Sequence, residues 1–139
     1  MSAFVLDTDT LTLFQRGDAI VQKNAATHAS LGVATSVITI EEQLTGWYTL
    51  VRRAKTIDQT AHAYQQLANT ARFLASFQIL SFDVPSINRY MALRKLKLNV
   101  RSNDLRIAAI VLENGSTLVT RNARDFKQVP GLVSVDWSQ

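Results

Sequence analysis

Two aspartates stand one residue apart where the first apolar run of the chain ends. Asp7 and Asp9 follow Phe4, Val5 and Leu6, a run that favours a short buried strand. In an open α/β sheet, ligands bind at the carboxyl ends of the strands, so an acid at this point could hold a metal or move a proton. Aspartate is also a common helix N-cap, and either residue could instead begin the helix that follows.

Several of the remaining acids recur at similar places along the chain, which has only eleven acids in all. Glu41 and Glu42 follow the second β-rich segment, Asp104 begins an apolar helical segment, and Asp125 comes just after the fourth predicted strand. Carboxylates gathered at one sheet edge repel one another, and a divalent cation relieves that repulsion. Oxygen ligands without cysteine or histidine suit Mg²⁺ or Mn²⁺. A metal-activated water beside a basic surface would suit phosphodiester cleavage.

Each acid taken alone also has a purely structural interpretation. Asp104 could complement the dipole of its helix, and Glu41 or Glu42 could be an ordinary first-turn acid. Asn122 and Asp125 are spaced like a helix cap and its reciprocal partner. The recurrence of acids at one edge is what favours a shared site over these separate explanations.

A basic stretch lies between residues 89 and 106, in a chain whose net charge is +4. Its cationic residues are Arg89, Arg94, Lys95, Lys97, Arg101 and Arg106, and Asp104 is its only acid. Exposed lysine and arginine side chains bind the phosphates of nucleic acids, and they also occur on ordinary solvated helix faces. We predict that Arg89, Arg94, Lys95, Lys97 and Arg101 contact the phosphates of a nucleic acid.

Strands alternating with helices are needed to position these residues. The patterns predict strands at 4–6, 32–39, 79–83, 117–120 and 132–137, and helices at 10–17, 19–30, 40–54, 56–77, 85–99, 103–115 and 123–129. Such alternation indicates an α/β fold, with a mainly parallel central sheet of about four to five strands and helices on both faces. In the long helix, one packed side is expected to carry Ala61, Tyr64, Leu67 or Ala68, Ala71, and Leu74 or Ala75.

Length and composition exclude several classes of protein. A chain of 139 residues predicts one domain, spanning 1–139. The absence of cysteine removes disulfides, thiolate catalysis and cysteine-bound zinc, and fits a cytoplasmic protein. No apolar stretch approaches the roughly 18 residues of a membrane span, and the first residues do not read as a signal peptide. His28 and His62 lie in helical contexts and are interpreted as structural.

Four segments together resemble the PIN-domain proteins, and specifically the VapC-type toxin ribonucleases. They are "LDTDTL", "SVITIEEQLTG", "SNDLRIAAIVLENGSTLVTRNARDF" and "VPGLVSVDW". The family reads L-D-T-N at the first, S-x-x-T-x-x-E-x-x-x-G at the second, N-D-x-x-I-A-A and T-x-N-x-x-x-F within the third, and V-P-G-L with a terminal D-W at the last. The resemblance runs almost from end to end and implies a PIN-like fold.

The resemblance carries roles onto individual residues of this chain. It implies that Asp7, Glu42 and Asp104 bind the metal, with Glu42 chosen over its neighbour Glu41 when Gly46 takes the place of the family glycine. Asn122 or Asp125 would complete the site. The position of Asp9 is commonly Asn in the family, so Asp9 is an auxiliary acid whose role stays open, and Glu41 has no counterpart.

The same resemblance implies an activity and its partners. The expected activity is that of a Mg²⁺-dependent endoribonuclease, in which Mn²⁺ can substitute, acting in the cytoplasm on structured RNA such as tRNA or rRNA. A homodimer and a small inhibitory antitoxin are implied, and no membrane partner. Two alternatives stay open: a catalytically inactive PIN-fold RNA-binding domain, and a haloacid-dehalogenase-type phosphatase, whose D-x-D motif resembles "DTDT" but whose further acids and lysine are not found.

Overall fold

A single parallel sheet forms the centre of the fold in the computed structural model, which describes residues 2–139. Its strands are β1 (Phe4–Leu6), β2 (Val33–Ser36), β3 (Gln78–Leu80), β4 (Thr117–Val119) and β5 (Ser134–Val135). They lie in the order β3-β2-β1-β4-β5, and all four pairings are parallel. The predicted α/β architecture with five strands is thereby confirmed.

Seven α-helices connect the described strands. They are α1 (Thr8–Gln15), α2 (Ala19–His28), α3 (Val37–Arg53), α4 (Ile57–Ala75), α5 (Val84–Arg94), α6 (Ser102–Glu113) and α7 (Ala123–Phe126), with a 3-10 turn at Ala29–Leu31. Between residues 2 and 139, no helix is both long and apolar enough to cross a bilayer.

Alternating side chains of the strands pack into two separate cores, one on each face of the sheet. Val5 and Leu118 belong to the core that contains α5 and α6, whereas Leu6 and Val119 belong to the core that contains α1, α2 and part of α4. This follows from the two-residue period of a strand. Helix α6 is buried over residues 107–111, as its nearly continuous apolar sequence predicts.

The strand predicted at 32–39 is wrong in its second half, and the difference affects the site. Ser36 ends β2 and caps α3, because its hydroxyl accepts a hydrogen bond from the Thr39 amide at 3.2 Å. Val37 and Ile38 have high strand propensity. The Ser36 hydroxyl nevertheless satisfies a backbone amide in the first turn of α3, and this cap stabilises the start of the helix at Val37. The helix therefore starts early enough for Thr39 and Glu42 to lie one turn apart.

The face predicted for the long helix is confirmed at Leu74 but is wrong at Ala61, Tyr64 and Ala71, which are exposed. Tyr64 is 55% exposed, and the buried residues of α4 are Ala63, Thr70 and Leu74. Alanines occur on several faces of this helix, and these faces are therefore similar in hydrophobicity. The sequence alone does not show which face packs against the protein. The last strand is shorter than predicted, because it pairs with β4 only at Ser134 and Val135.

Candidate active site

One cavity of about 430 Å³ gathers most of the acids singled out in the sequence. We call it the acid cavity, and its lining residues are Asp7, Thr8, Asp9, Glu42, Arg101, Asp104, Asn122 and Phe126. They come from the starts of α1 and α6, from the second turn of α3, and from the segment after β4. Parallel strands explain this gathering, because β1 and β4 end side by side and the helices that follow begin at that edge.

Asp7 is buried, and it caps a helix while it also lines the acid cavity. Its side chain caps α1 by accepting a hydrogen bond from the Thr10 amide, with 2.9 Å between Thr10 N and Asp7 Oδ1. Burial raises the pKa of the Asp7 carboxyl, and hydrogen bonds from Thr120 and Thr10 partly oppose that rise. The carboxylate still lines the acid cavity, so capping does not remove it from the site.

Glu42 is oriented by a threonine that the sequence analysis did not single out. Thr8 Oγ1 donates a hydrogen bond to Glu42 Oε1 at 2.7 Å and lies 3.1 Å from Thr39 Oγ1. The signal was present in the S-x-x-T-x-x-E spacing, which puts Thr39 one helical turn before Glu42. Only the fold brings Thr8 to the same place.

Arg101 contacts two acids of the cavity with one nitrogen. Its Nη2 lies 3.2 Å from Glu42 Oε2 and 3.1 Å from Asp104 Oδ1. The hydrogen bond that Arg101 donates to Asp104 is the main reason that the pKa of Arg101 is raised, so the guanidinium stays charged. The RNA contact predicted for this residue stays a prediction, but the structure places its side chain among the acids.

Asn122 lines the acid cavity, and Asp125 lies behind it. Asn122 Nδ2 donates a hydrogen bond to Asp125 Oδ2 at 2.8 Å, and the Asn122 amide donates to Thr120 Oγ1 at 2.9 Å. The Asn122 side chain accepts no hydrogen bond from the amides of α7, so the pair does not form a reciprocal capping box. Asp125 reaches the cavity only through Asn122.

The two auxiliary acids are placed differently. Asp9 lies in the first turn of α1 and lines the acid cavity. Glu41 is exposed and lines a neighbouring cavity of about 940 Å³, together with Phe82, Asn103 and Arg106. Helix geometry therefore separates the two glutamates, since consecutive residues of a helix point about 100° apart.

Glu42 stands where three cavities meet. It lines the acid cavity, the cavity that contains Glu41, and a third cavity of about 780 Å³ beside Thr12, Trp47 and His62. Gly46, one turn further along α3, lines the second and third of these. The acids thus open onto a continuous surface along α3 that could receive an extended ligand.

The donor chemistry of the acid cavity fits a hard divalent cation. Its oxygen donors include four carboxylates and one side-chain amide, and no cysteine or histidine lines it. Within residues 2–139, no three acidic, histidine or cysteine side chains stand close enough together to form a metal shell by themselves. Mg²⁺ commonly uses only one or two protein carboxylates and keeps several waters, so such a donor set suits it.

The basic stretch is divided by the fold. Arg89 pairs with Glu113 at 3.1 Å, and the guanidinium carbon of Arg94 lies 5.7 Å from the centre of the Tyr90 ring. Lys95 and Lys97 are exposed just beyond α5. Arg94, Lys95 and Lys97 are thus exposed cationic residues at the C-terminal end of α5, whereas Arg89 and Arg101 form ion pairs with acids.

Comparison with known proteins places the chain in a family. The family model of the PIN domain matches residues 4–132. The sequence is 32% identical to ribonuclease VapC2 of Rickettsia felis over 71 residues, which is 48% of this chain and 53% of that protein, so the chain spans about half the length of this curated relative.

Solved structures share the fold over nearly the whole chain. The DNA-bound VapBC structure from Salmonella typhimurium has a TM-score of 0.79 at 22% identity and covers 99% of both chains. A toxin-antitoxin complex from Klebsiella pneumoniae has a TM-score of 0.68 at 25% identity and covers 93% of this chain and 94% of that one. The family match takes in every element from β1 to α7, and the chain therefore belongs to the PIN domain family.

Proposed function

We propose that this protein is a metal-dependent endoribonuclease of the VapC type that cuts structured RNA. The observation that supports this most strongly is the gathering of Asp7, Glu42 and Asp104 around one cavity at the carboxyl edge of the sheet. These residues are far apart in the sequence, and three carboxylates without a common ligand repel one another. Similarity to ribonuclease VapC2 of Rickettsia felis points to the same activity.

The acids hold the cation in this proposal. Asp7, Glu42 and Asp104 bind Mg²⁺ or Mn²⁺, some of them directly and the others through the waters that the cation keeps. Asn122 completes the site, and Asp125 fixes its amide. A bound divalent cation neutralises charge at the scissile phosphate and makes water a stronger nucleophile. Thr8 orients Glu42, and Asp9 adds negative charge at the mouth. Without cysteine in the chain, we assign no covalent enzyme intermediate.

The substrate lies along the open surface beside Glu42. Arg94, Lys95 and Lys97 are exposed at the end of α5 and would bind RNA phosphates without reading sequence. Arg89 and Arg101 are part of the same predicted contact region, although both also pair with acids. The phosphate backbone of a folded tRNA or rRNA could contact all of these cations. Because both RNAs occur in the cytoplasm, we propose that the protein acts there.

A protein inhibitor and a second copy of the chain are the proposed partners. Similar folds occur in a VapBC structure and in a toxin-antitoxin complex. Tyr48, Leu50, Ile57 and Tyr64 are exposed apolar residues on α3 and α4, and apolar exposure of this kind is typical of a protein interface. We therefore propose an antitoxin that blocks the acid cavity, and a homodimer.

Cleavage of defined RNAs tests the proposal. Purified protein free of antitoxin should cut tRNA or rRNA internally with Mg²⁺ or Mn²⁺, and a chelator should stop it. Because the nucleophile is water, the fragments should carry 5′-phosphate and 3′-hydroxyl ends. Asp104→Asn should abolish cleavage, and Asp58→Asn, on the exposed start of α4, should not. RNA binding without cleavage would favour the inactive RNA-binding domain, and a 2′,3′-cyclic phosphate would exclude the water mechanism.

A further inference from the structure

The guanidinium of Arg101 bridges two carboxylates that belong to different helices. Glu42 is on α3 and Asp104 is in the first turn of α6, and both are contacted by Nη2 of Arg101 at 3.2 and 3.1 Å. Arg101 Nε is also 3.5 Å from Asp104 Oδ2. Every polar contact of this side chain within residues 2–139 is therefore with a carboxylate of the acid cavity.

The Arg101 side chain is much more exposed than the two carboxylates that it contacts, as a counterion that can be displaced should be. The Arg101 side chain is 63% exposed, whereas those of Glu42 and Asp104 are 18% and 19% exposed. The acids are held inside the cavity, and Thr8 independently fixes Glu42. Arg101 precedes α6 and makes no side-chain cap, so it can turn away without disturbing the helix.

We infer that Arg101 is a built-in counterion that occupies Glu42 and Asp104 and competes with the divalent cation for them. This inference rests on the proposed metal-dependent activity, because it describes how the negative charge of the same carboxylates is partly balanced before the cation arrives. A guanidinium and a divalent cation on the same two carboxylates would repel each other at short range. Binding of the cation therefore requires Arg101 to leave.

The strength of this competition follows from the exposure of the ion pairs. Exposed ion pairs contribute little individually, because water and salt screen them. Arg101 should thus lower the affinity for the cation modestly and reversibly. We expect a change of about three- to tenfold in the dissociation constant, which corresponds to the loss of the two ion pairs of Arg101.

Calorimetric titration of the full chain with Mn²⁺ measures this competition directly. Arg101→Gln should bind Mn²⁺ about three- to tenfold more tightly than the unmodified chain. Arg53→Gln is the matched control, since it removes the same charge at the far end of α3, about 16 Å along the helix from Glu42. Asp104→Asn should bind Mn²⁺ much more weakly and verifies that the heat comes from the acid cavity.

Thermal unfolding gives a second readout that does not depend on cleavage. In chelator, Arg101→Gln should unfold at a lower temperature than Arg53→Gln, because two neighbouring carboxylates lose their counterion. Saturating Mn²⁺ should remove that difference. A stabilisation by Mn²⁺ that is no larger in Arg101→Gln than in Arg53→Gln would contradict the inference.

The outcomes separate this inference from the proposed function. If Asp104→Asn loses Mn²⁺ binding while Arg101→Gln and Arg53→Gln bind equally, the metal site stands and the counterion role is overturned. Weaker binding by Arg101→Gln than by the unmodified chain also overturns it, since Arg101 would then assist the cation. Failure of every variant and of the unmodified chain to bind Mn²⁺ would overturn both.

Discussion

The hydroxyl of Thr8 donates a hydrogen bond to the carboxylate of Glu42, with 2.7 Å between Thr8 Oγ1 and Glu42 Oε1. Thr8 directly follows Asp7, so one dipeptide supplies both an acid of the cavity and the group that orients another acid. Because Arg101 contacts Oε2 of the same glutamate, the two carboxylate oxygens of Glu42 have different partners.

Removing the Thr8 hydroxyl should weaken RNA cleavage more than it weakens the fold. Thr8→Val keeps the shape of the side chain, and a hydrogen bond to a charged group contributes about 1.5–3 kcal/mol. We expect cleavage to fall by about tenfold or more, while Thr8→Ser, which keeps the hydroxyl, retains most of it. Initial cleavage rates and thermal unfolding of both variants make the comparison. Equal rates for Thr8→Val and the unmodified chain would show that Glu42 needs no orienting donor.

Two substitutions at Asp7 should separate its cap from its charge. Asparagine caps a helix about as well as aspartate, so Asp7→Asn should abolish cleavage without destabilising the fold, whereas Asp7→Ala should cost about 0.5–2 kcal/mol. Urea unfolding in chelator gives both free energies of unfolding. A loss of stability in Asp7→Asn as large as that in Asp7→Ala would mean that the charge itself supports the fold.

The same residue should make stability depend on pH. Burial raises the pKa of the Asp7 carboxyl in the folded chain above its value in the unfolded chain. The folded state therefore favours the protonated acid, and this contribution is present below the unfolded pKa and is lost as pH rises through the folded pKa. In chelator, the free energy of unfolding of Asp7→Asn minus that of the unmodified chain should therefore increase as pH rises from the unfolded pKa of Asp7 to its folded pKa. No change in their difference between acidic and neutral pH would contradict the prediction.

Gly46 is placed inside α3 without any steric need within the chain. A Cβ built there meets no atom within 4 Å, and glycine in a helix interior costs about 0.5–1 kcal/mol relative to alanine. Gly46→Ala should therefore stabilise the fold by about that amount and, if RNA backbone lies along α3, raise KM for cleavage. Gly115→Ala is a useful contrast, because its φ of +61° makes any side chain strained and should destabilise the fold. An unchanged KM in Gly46→Ala would show that the substrate does not lie along α3 at Gly46.

The cations at the end of α5 should determine how RNA binding depends on salt. Replacing Arg94, Lys95 and Lys97 together by glutamine should weaken binding and reduce the slope of log K against log salt by about 2 to 3, since each phosphate contact contributes about 0.7–0.9. Filter binding at several salt concentrations measures the slope. A triple variant at Lys23, Arg53 and Arg72 removes the same charge elsewhere and should change the slope less. Equal slopes in the two triple variants would show that Arg94, Lys95 and Lys97 are ordinary solvated residues and do not contact RNA phosphates.

Much of the fold could be predicted from the sequence because it depends on local patterns. The short apolar runs, the helical periods and the acids that follow strands each act within a few residues. They were sufficient to predict a parallel sheet with helices on both faces. They were also sufficient to predict that Asp7 and Asp104 lie at one edge of the sheet. The same local rules failed at Val37–Thr39, where strand propensity lost to the Ser36 cap, and in α4, where alanines made several faces equivalent.

Those partners within the site that lie far apart in the sequence were decided by tertiary structure. Thr8 and Glu42 are 34 residues apart, and no local pattern joins them. Arg101 pairs with Asp104 three residues further along the chain, but it also meets Glu42 because α6 starts beside α3 at the carboxyl edge of the sheet. A hydrogen bond or an ion pair depends on distances of about 3 Å, and those distances are set only when packing of both cores fixes the helices on the sheet. The sequence by itself thus determined which acids are available, and the folded structure decided which groups each acid meets.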